Sequence, residues 1–423
     1  MQGSIPALRL ARVQTAVGQE TTIAASLRRL PEVAYVELDY RAEAQVGAGF
    51  PPLASAQQLW RQGGENVSAA GAEQPAPMCV RTPNDPAFPR QWGLAKINAP
   101  EAWNIITGAV SMTIAILDTG IDLGHPDLAP QLWTNPGEIP ANGLDDDANG
   151  KIDDVHGWHF YQAANGPAED ALIQDDFGHG THVAGIAAAA TDNGIGVAGL
   201  AWGGRLMAVK VLDQYGSGWY SDIAAGIVYA ADNGARLINL SLGGAPPSQA
   251  LCDAAAYAHD RGAVVIAAAG NTGGAVLYPA ACDQVLAVAA TNQTDSRPTF
   301  SNYGPEIDLA APGVDIYSTW YYTGIRASGY FTKSGTSMAT PYVTGAAALV
   351  WSRWPGWTAD QVSQRLRATA TDVNTPGWDP YSGWGRLDAA AALGWTPRRF
   401  FYPFVVAQPI SIMPQESLST LSP

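Results

Sequence analysis

From residue 113 onward the chain alternates short, almost unbroken apolar runs with alanine-rich stretches of helical length. Few architectures accept that pattern. The runs are 113–117 (TIAIL), 206–212 (LMAVKVL), 237–240 (LINL), 263–268 (AVVIAA) and 285–289 (VLAVA). Between and after them lie helical stretches at 181–190, 221–233, 248–261 and 337–354. A strand that is apolar on both faces must be buried on both faces, so the sheet needs cover above and below. Interleaved helices supply it, and the pattern predicts an α/β fold: a doubly wound, mostly parallel sheet with helices on both faces. In such folds chemistry gathers at the carboxyl ends of the strands.

The whole chain of 423 residues fits one large domain with small appendages. It is 47% hydrophobic and 14% charged, with 45 Gly and 30 Pro, the texture of a compact, loop-rich protein. Lys+Arg of 23 against Asp+Glu of 38 gives a formal charge of −15, which argues against a nucleic-acid partner and leaves carboxylates for hard cations. The three cysteines are Cys79, Cys252 and Cys282, so a full disulfide framework cannot form. A Cys252–Cys282 pair and buried free thiols both stay open. No apolar run approaches the ~20 residues a transmembrane helix needs, and no basic-then-apolar leader opens the chain.

Four parts follow. Residues 1–46 form a small unit, with a helix expected over 21–30 (Ile23, Leu27 and Leu30 on one face, Pro31 ending it) and a β-rich run at 33–40 (VAYVELDY). So short a unit needs something to pack against. Residues 47–84, rich in Ala, Gly, Gln, Ser and Pro, read as a linker, and the sequon at Asn66 reads as a chance match there. Residues 85–397 carry the main domain, and 398–423 form a tail with a short apolar run at 400–407.

Nucleophilic acyl transfer needs a hydroxyl, a base, a carboxylate to hold the base, and donors for the oxyanion. Asp118 ends the run TIAIL, where a carboxylate can orient a histidine or simply cap a turn. His179 sits between Gly178 and Gly180 at the start of a helical stretch, and His182 three residues on reads as a packing residue. Ser337 opens an alanine-rich helix, as an N-cap would, but that end of a helix also favours developing negative charge. Asn271 follows AVVIAA, where its amide can donate to an oxyanion or make a turn.

Taken together, Asp118-Thr119-Gly120, His179-Gly180-Thr181-His182-Val183-Ala184-Gly185, Ala268-Ala269-Gly270-Asn271 and Gly335-Thr336-Ser337-Met338-Ala339-Thr340-Pro341 resemble the subtilisin-like serine proteases, in that family's order Asp, His, Ser. The resemblance runs from about residue 84 to 393. It implies a serine endopeptidase with Ser337 as nucleophile, His179 as base, Asp118 as its orienting acid, and Asn271 with the Ser337 N–H as oxyanion hole. It also implies that Gly216 and Gly218 on one side, and Ser241, Leu242, Gly243 and Gly244 on the other, grip an extended polypeptide substrate, with Ala268, Ala269 and Gly270 beside them. Tyr278-Pro279 resembles the family's cis-proline site. Residues 1–46 look like the later part of an inhibitory propeptide, an intramolecular inhibitor, which implies self-cleavage within 47–84. A secreted, monomeric zymogen without organic cofactor is expected. The rival readings are a catalytically silent binding module on the same fold and an esterase, which would carry Gly-x-Ser-x-Gly and the order Ser, Asp, His.

Structural calcium is expected at two places. Asp145, Asp147, Asn149, the Lys151 carbonyl and Asp153 fall at positions 1, 3, 5, 7 and 9 of an EF-hand-like loop, with Gly150 at 6. Position 12 is His156 rather than Glu, and Asp154 is a candidate for the missing oxygen. The competing reading is a solvated acidic turn. By resemblance alone, Asp85, Asp127, Asn193 and the carbonyls of Thr191, Ile195 and Val197 match the family's calcium site.

Overall fold

In the computed structural model the described residues are 4–13, 15, 19–30, 33–46, 80–108, 112–163 and 166–395. The expected linker apart from 80–84, the Asn66 sequon, Cys79 and the run at 400–407 lie outside them. The five apolar runs form the middle of one eight-stranded sheet, which adds three strands that no apolar run announced, in the order Ile307–Pro312, Val285–Thr291, Val264–Ala268, Leu237–Leu240, Thr113–Asp118, Arg205–Lys210, Gly157–Ala163, Gly166–Asp170. Every neighbouring pair is parallel except the last, which is an antiparallel edge. Val264–Ala268 and Leu237–Leu240 are buried along their whole length, as strands covered on two faces must be.

Two apolar clusters, one on each side of the sheet, make the core. One joins Ile114, Ile116, Leu206 and Ile266 to the helices His179–Ala188 and Thr336–Arg353. The other joins Ala115, Leu117, Val209 and Ile238 to the helices Tyr220–Asp232 and Gln249–Asp260. Alternate residues of one strand thus serve opposite faces.

Cys252, in the helix Gln249–Asp260, is bonded to Cys282, with Cα atoms 5.3 Å apart. The bridge closes 30 residues, and by loop-closure entropy it contributes about 3–4 kcal/mol. The double variant Cys252→Ser, Cys282→Ser is expected to melt several degrees lower. A melting curve unaltered by both the substitution and a reductant would refute that contribution.

The N-terminal unit differs from its expectation in three ways. Its helix is Glu20–Leu27, not 21–30. The chain leaves the helix before Pro31, whose ring disfavours helical backbone in the residue ahead of it; Leu30 is exposed and Ala24 is the buried residue. A short hairpin, Ser4–Ile5 with Leu10–Ala11, precedes it, too brief to show as alternation. The run 33–40 forms no ladder, and the paired strand is the next segment, Arg41–Ala44. Residues 33–40 instead cross the N-termini of two helices. Glu37 accepts from the backbone N–H of Gln249 (2.7 Å) and Ala250 (3.2 Å), and Asp39 from that of Ser221 (3.0 Å). Carboxylates there satisfy free N–H groups and meet the positive end of each helix dipole. Arg12 adds an ion pair to buried Asp222 at 2.7 Å.

Candidate active site

Asp118 is the last residue of Thr113–Asp118, a central strand, and lies at its carboxyl end. His179 is the first residue of His179–Ala188. Its Nδ1 lies 2.7 Å from Asp118 Oδ1, and both side chains are fully buried. A side chain at Gly180 would stop this approach, because a Cβ there would stand 2.1 Å from the Gly120 carbonyl. Glycine lets helix and strand end come into backbone contact.

Asp175, passed over in the sequence, organises this corner. Its Oδ1 accepts from Thr119 Oγ1 (2.8 Å) and from the N–H groups of Phe177 and Gly178 (3.0 and 2.8 Å). Its Oδ2 accepts from Thr181 N and Oγ1 (2.9 and 2.5 Å). Burial pushes its carboxyl above the usual range, and these donors act against that. The available signal was an aspartate four residues ahead of the helix start at His179, short of the N-cap position that Gly178 holds. His182 is buried, with Nε2 at 3.2 and 3.0 Å from the carbonyls of Ile316 and Phe331. Desolvation pushes it down to about 3, so it stays neutral, as a packing residue should.

Ser337 is the second residue of Thr336–Arg353, a helix buried from Thr336 through Trp351. Pro341 lies within this helix and cannot donate to the carbonyl four residues back, that of Ser337. That carbonyl instead accepts from Ser241 Oγ at 2.9 Å, while Ser337 Oγ donates to the Ser241 carbonyl at 2.8 Å. The proline thus frees the carbonyl that ties the helix Thr336–Arg353 to Ser241. Ser337 Oγ is turned to Ser241, and His179 Nε2 has no partner among the described residues. Asn271 follows Val264–Ala268, and its Oδ1 accepts from Thr336 N and Oγ1 at 2.9 and 3.1 Å. This fixes the amide and leaves Nδ2 buried without a partner among the described residues.

The expected substrate edges both pair with a strand of this same chain. Arg41–Ala44 is antiparallel to Leu242–Gly243 on one side and to Ser217–Trp219 on the other. Gly216 gives its carbonyl to Ala44 N at 2.8 Å, and Ser241 gives its carbonyl to Gln45 N at 3.1 Å. Gly244 is set apart and pairs with Tyr278, ahead of a cis Tyr278–Pro279 bond. Ala268 and Ala269 are fully buried and held by the sheet, with Ala269 N on the Val288 carbonyl at 3.0 Å. Gly270 N donates to Thr336 Oγ1 at 3.2 Å. None of these last three makes a hydrogen bond to Arg41–Ala44 among the described residues.

In the acidic loop, Glu138, Asp145 and Asp147 bring carboxylate oxygens within 4.8 Å of one another. Glu138 lies ahead of the loop and was missed. Asp153 faces another turn, accepting from Asn142 N and Gly143 N at 3.2 and 2.9 Å. Asp154 is buried, occupied by Asn135, Asn149 and Tyr229, and is not part of the Glu138, Asp145 and Asp147 group. Asn149 donates to Asp147 Oδ2 at 3.1 Å, and Lys151 N to Asn149 Oδ1 at 2.8 Å. At the second place, Asp85 accepts from Asp192 N and Asn193 N at 2.9 and 3.1 Å. Asp127 accepts from Asn193 Nδ2 (3.0 Å), Val197 N (3.0 Å) and Tyr330 Oη (3.0 Å). Asn193 Oδ1 accepts from Ile195 N at 2.9 Å, and Thr191 Oγ1 donates to the Ala189 carbonyl.

Residues 110–385 match the Subtilase family. Thermitase of Thermoactinomyces vulgaris is 44% identical over 314 residues, covering 74% of this chain and 99% of thermitase. Subtilisin Savinase of Lederbergia lenta is 41% identical over 302 residues, 71% of this chain and 97% of that protein. Among solved structures, a protease of Pseudoalteromonas arctica superposes with a TM-score of 0.64 at 32% identity, over 74% of this chain and 99% of its own.

Proposed function

Because the chain belongs to the subtilase family and is a serine endopeptidase, we propose that Ser337, His179 and Asp118 carry its chemistry on polypeptide substrates. The observation that carries the assignment is the 2.7 Å contact of buried His179 Nδ1 with Asp118, at a strand end beside the Ser337 helix. His179 Nε2 takes the Ser337 proton as Oγ attacks the peptide carbonyl, and later gives it to the leaving amine. Asp118 holds the tautomer and stabilises the imidazolium. Ser337 N–H and Asn271 Nδ2 receive the oxyanion. Purified chain in millimolar calcium should hydrolyse casein in preference to a simple ester. Inertness toward both, in folded protein, would favour a silent binding module on this fold.

The N-terminal unit acts as an intramolecular inhibitor. In support, Arg41–Ala44 fills the space between the two substrate edges, and Ser337 is fully buried. Secretion as a monomeric zymogen is part of this reading; no helix among the described residues is long and apolar enough to cross a membrane.

Calcium has a structural role. The donor sets are oxygen-only, as a hard cation requires: Glu138, Asp145 and Asp147 with Asn149 and the Lys151 carbonyl, and Asp85 and Asp127 with Asn193 and the carbonyls of Thr191, Ile195 and Val197. The ion would offset repulsion among carboxylates and takes no part in the reaction. A site filled at one hundred times its Kd stabilises by about 2.7 kcal/mol. Chelation is therefore expected to lower Tm by roughly 5 °C or more. The double variant Glu138→Gln, Asp145→Asn should lose part of that shift. A Tm indifferent to chelator would sink the calcium reading.

A further inference from the structure

We propose that residues 41–46 lie in the cleft as the enzyme's own substrate, that Gln45–Val46 is the bond it cuts in maturation, and that the subsite for the residue before the cut selects glutamine through its amide. The proposal rests on the triad reading and extends it to substrate choice.

The strand Arg41–Ala44 is the middle of a three-stranded ladder, with Ala42 opposite Gly218, Glu43 opposite Ser217 and Gly243, and Ala44 opposite Leu242. Past Ala44 the pairing continues through Gln45 N to the Ser241 carbonyl at 3.1 Å. The next chain carbonyl, that of Gln45, accepts from Ser337 N at 3.2 Å. That N–H belongs to the oxyanion hole, so the peptide group presented to the nucleophile is Gln45–Val46. The unpartnered Nδ2 of Asn271 and the unpartnered Nε2 of His179 are the remaining groups that the reaction needs. The family resemblance implies self-cleavage within 47–84; the bond proposed here lies just before that segment.

The Gln45 side chain is read from both walls. Its Nε2 donates to the carbonyls of Gly243 (3.1 Å) and Glu43 (2.8 Å), and its Oε1 accepts from Asn271 N at 3.2 Å. Glutamate has nearly the same shape, but it cannot donate and would set a carboxylate against two carbonyls. An apolar residue would leave Asn271 N–H without this acceptor. Three residues before Gln45, Ala42 is fully buried in the apolar cluster that holds Tyr220, Ile223 and Leu242. A larger side chain at that position would have to displace those neighbours. The substrate class is therefore an extended peptide with a small residue four places before the cut and glutamine immediately before it.

In the cut, Ser337 Oγ bonds to the Gln45 carbonyl carbon as its proton passes to His179 Nε2. The Gln45–Val46 C–N bond then breaks and the Val46 amine leaves with that proton. Water hydrolyses the Gln45 ester, releasing a Gln45 carboxylate and restoring Ser337. Residues from 46 onward stay with the catalytic domain.

The test follows the full purified chain by intact mass and N-terminal sequencing, with casein hydrolysis alongside. It then compares Ala-Glu-Ala-Gln, Ala-Glu-Ala-Glu and Arg-Glu-Ala-Gln as peptide nitroanilides on the matured enzyme. Expected are a released piece ending at Gln45, a new N-terminus at Val46, and kcat/KM lower by at least about tenfold for the second and third peptides. Gln45→Glu in the full chain should slow self-cleavage by a similar factor. Casein hydrolysis with a new N-terminus elsewhere, or equal turnover of the glutamine and glutamate peptides, overturns the assignment while the protease reading stands. Absence of both casein hydrolysis and self-cleavage overturns both. Should Gln45→Glu fail to fold, the peptide series decides.

Discussion

Ser337→Ala is expected to lower kcat by about 10⁶-fold, the size of loss recorded for the corresponding change in subtilisin itself. In the proposed mechanism Oγ is the atom that forms the acyl intermediate, and it sits on a helix whose first sixteen residues are buried. KM should change little, because the backbone of the edges around residues 216–218 and 241–243 is kept and the loss there is the one hydrogen bond from Ser337 Oγ to the Ser241 carbonyl. The remaining rate comes from the oxyanion donors and from binding, acting on water. Self-processing should stop as well, leaving full-length chain with its N-terminal unit attached. The measurement is active-site-titrated casein and nitroanilide turnover, with intact mass followed in the same samples. Retention of more than about one per cent of activity would place the nucleophile elsewhere.

Much of this site was legible because its constraints are local. Asp118 stands at the end of TIAIL, His179 and Ser337 open helices, and Asn271 follows AVVIAA. Each is a strand-to-loop or loop-to-helix junction marked by glycine and by a change of period. Parallel strands buried on both faces announce themselves as solid apolar runs, so the sheet was readable too. Contacts between distant segments were not readable. Glu37 and Asp39 cap helices more than 180 residues away, and nothing in VAYVELDY distinguishes such a segment from a strand. Glu138 reaches the acidic loop from outside its spacing pattern. Asp175 looked like one acid among many until five donors converged on it. Gln45 lies in a segment whose composition says little, and its partners at 241, 243, 271 and 337 are brought together only by the fold.

Asn271→Leu is expected to lower kcat by about 10²–10³-fold with KM within about twofold, the range known for loss of this amide in subtilisin. In the ground state Ser337 N–H alone holds the Gln45 carbonyl, and Asn271 Nδ2 is idle. A donor that is unused by the bound carbonyl and bonds only the developing charge lowers the barrier without tightening substrate binding. The same residue also accepts from Thr336 N and Oγ1, so leucine removes a structural contact as well. Asn271→Asp separates the two roles: it keeps an acceptor for Thr336 and gives up the amide donor, setting a negative charge beside the oxyanion. If the amide acts on the transition state, aspartate should be at least as slow as leucine while melting closer to the wild type. If Asn271 only positions Thr336 and the Ser337 helix, aspartate should restore kcat, and leucine should raise KM and lower Tm together. Steady-state kinetics on one peptide substrate, with a melting curve for each variant, distinguish these outcomes.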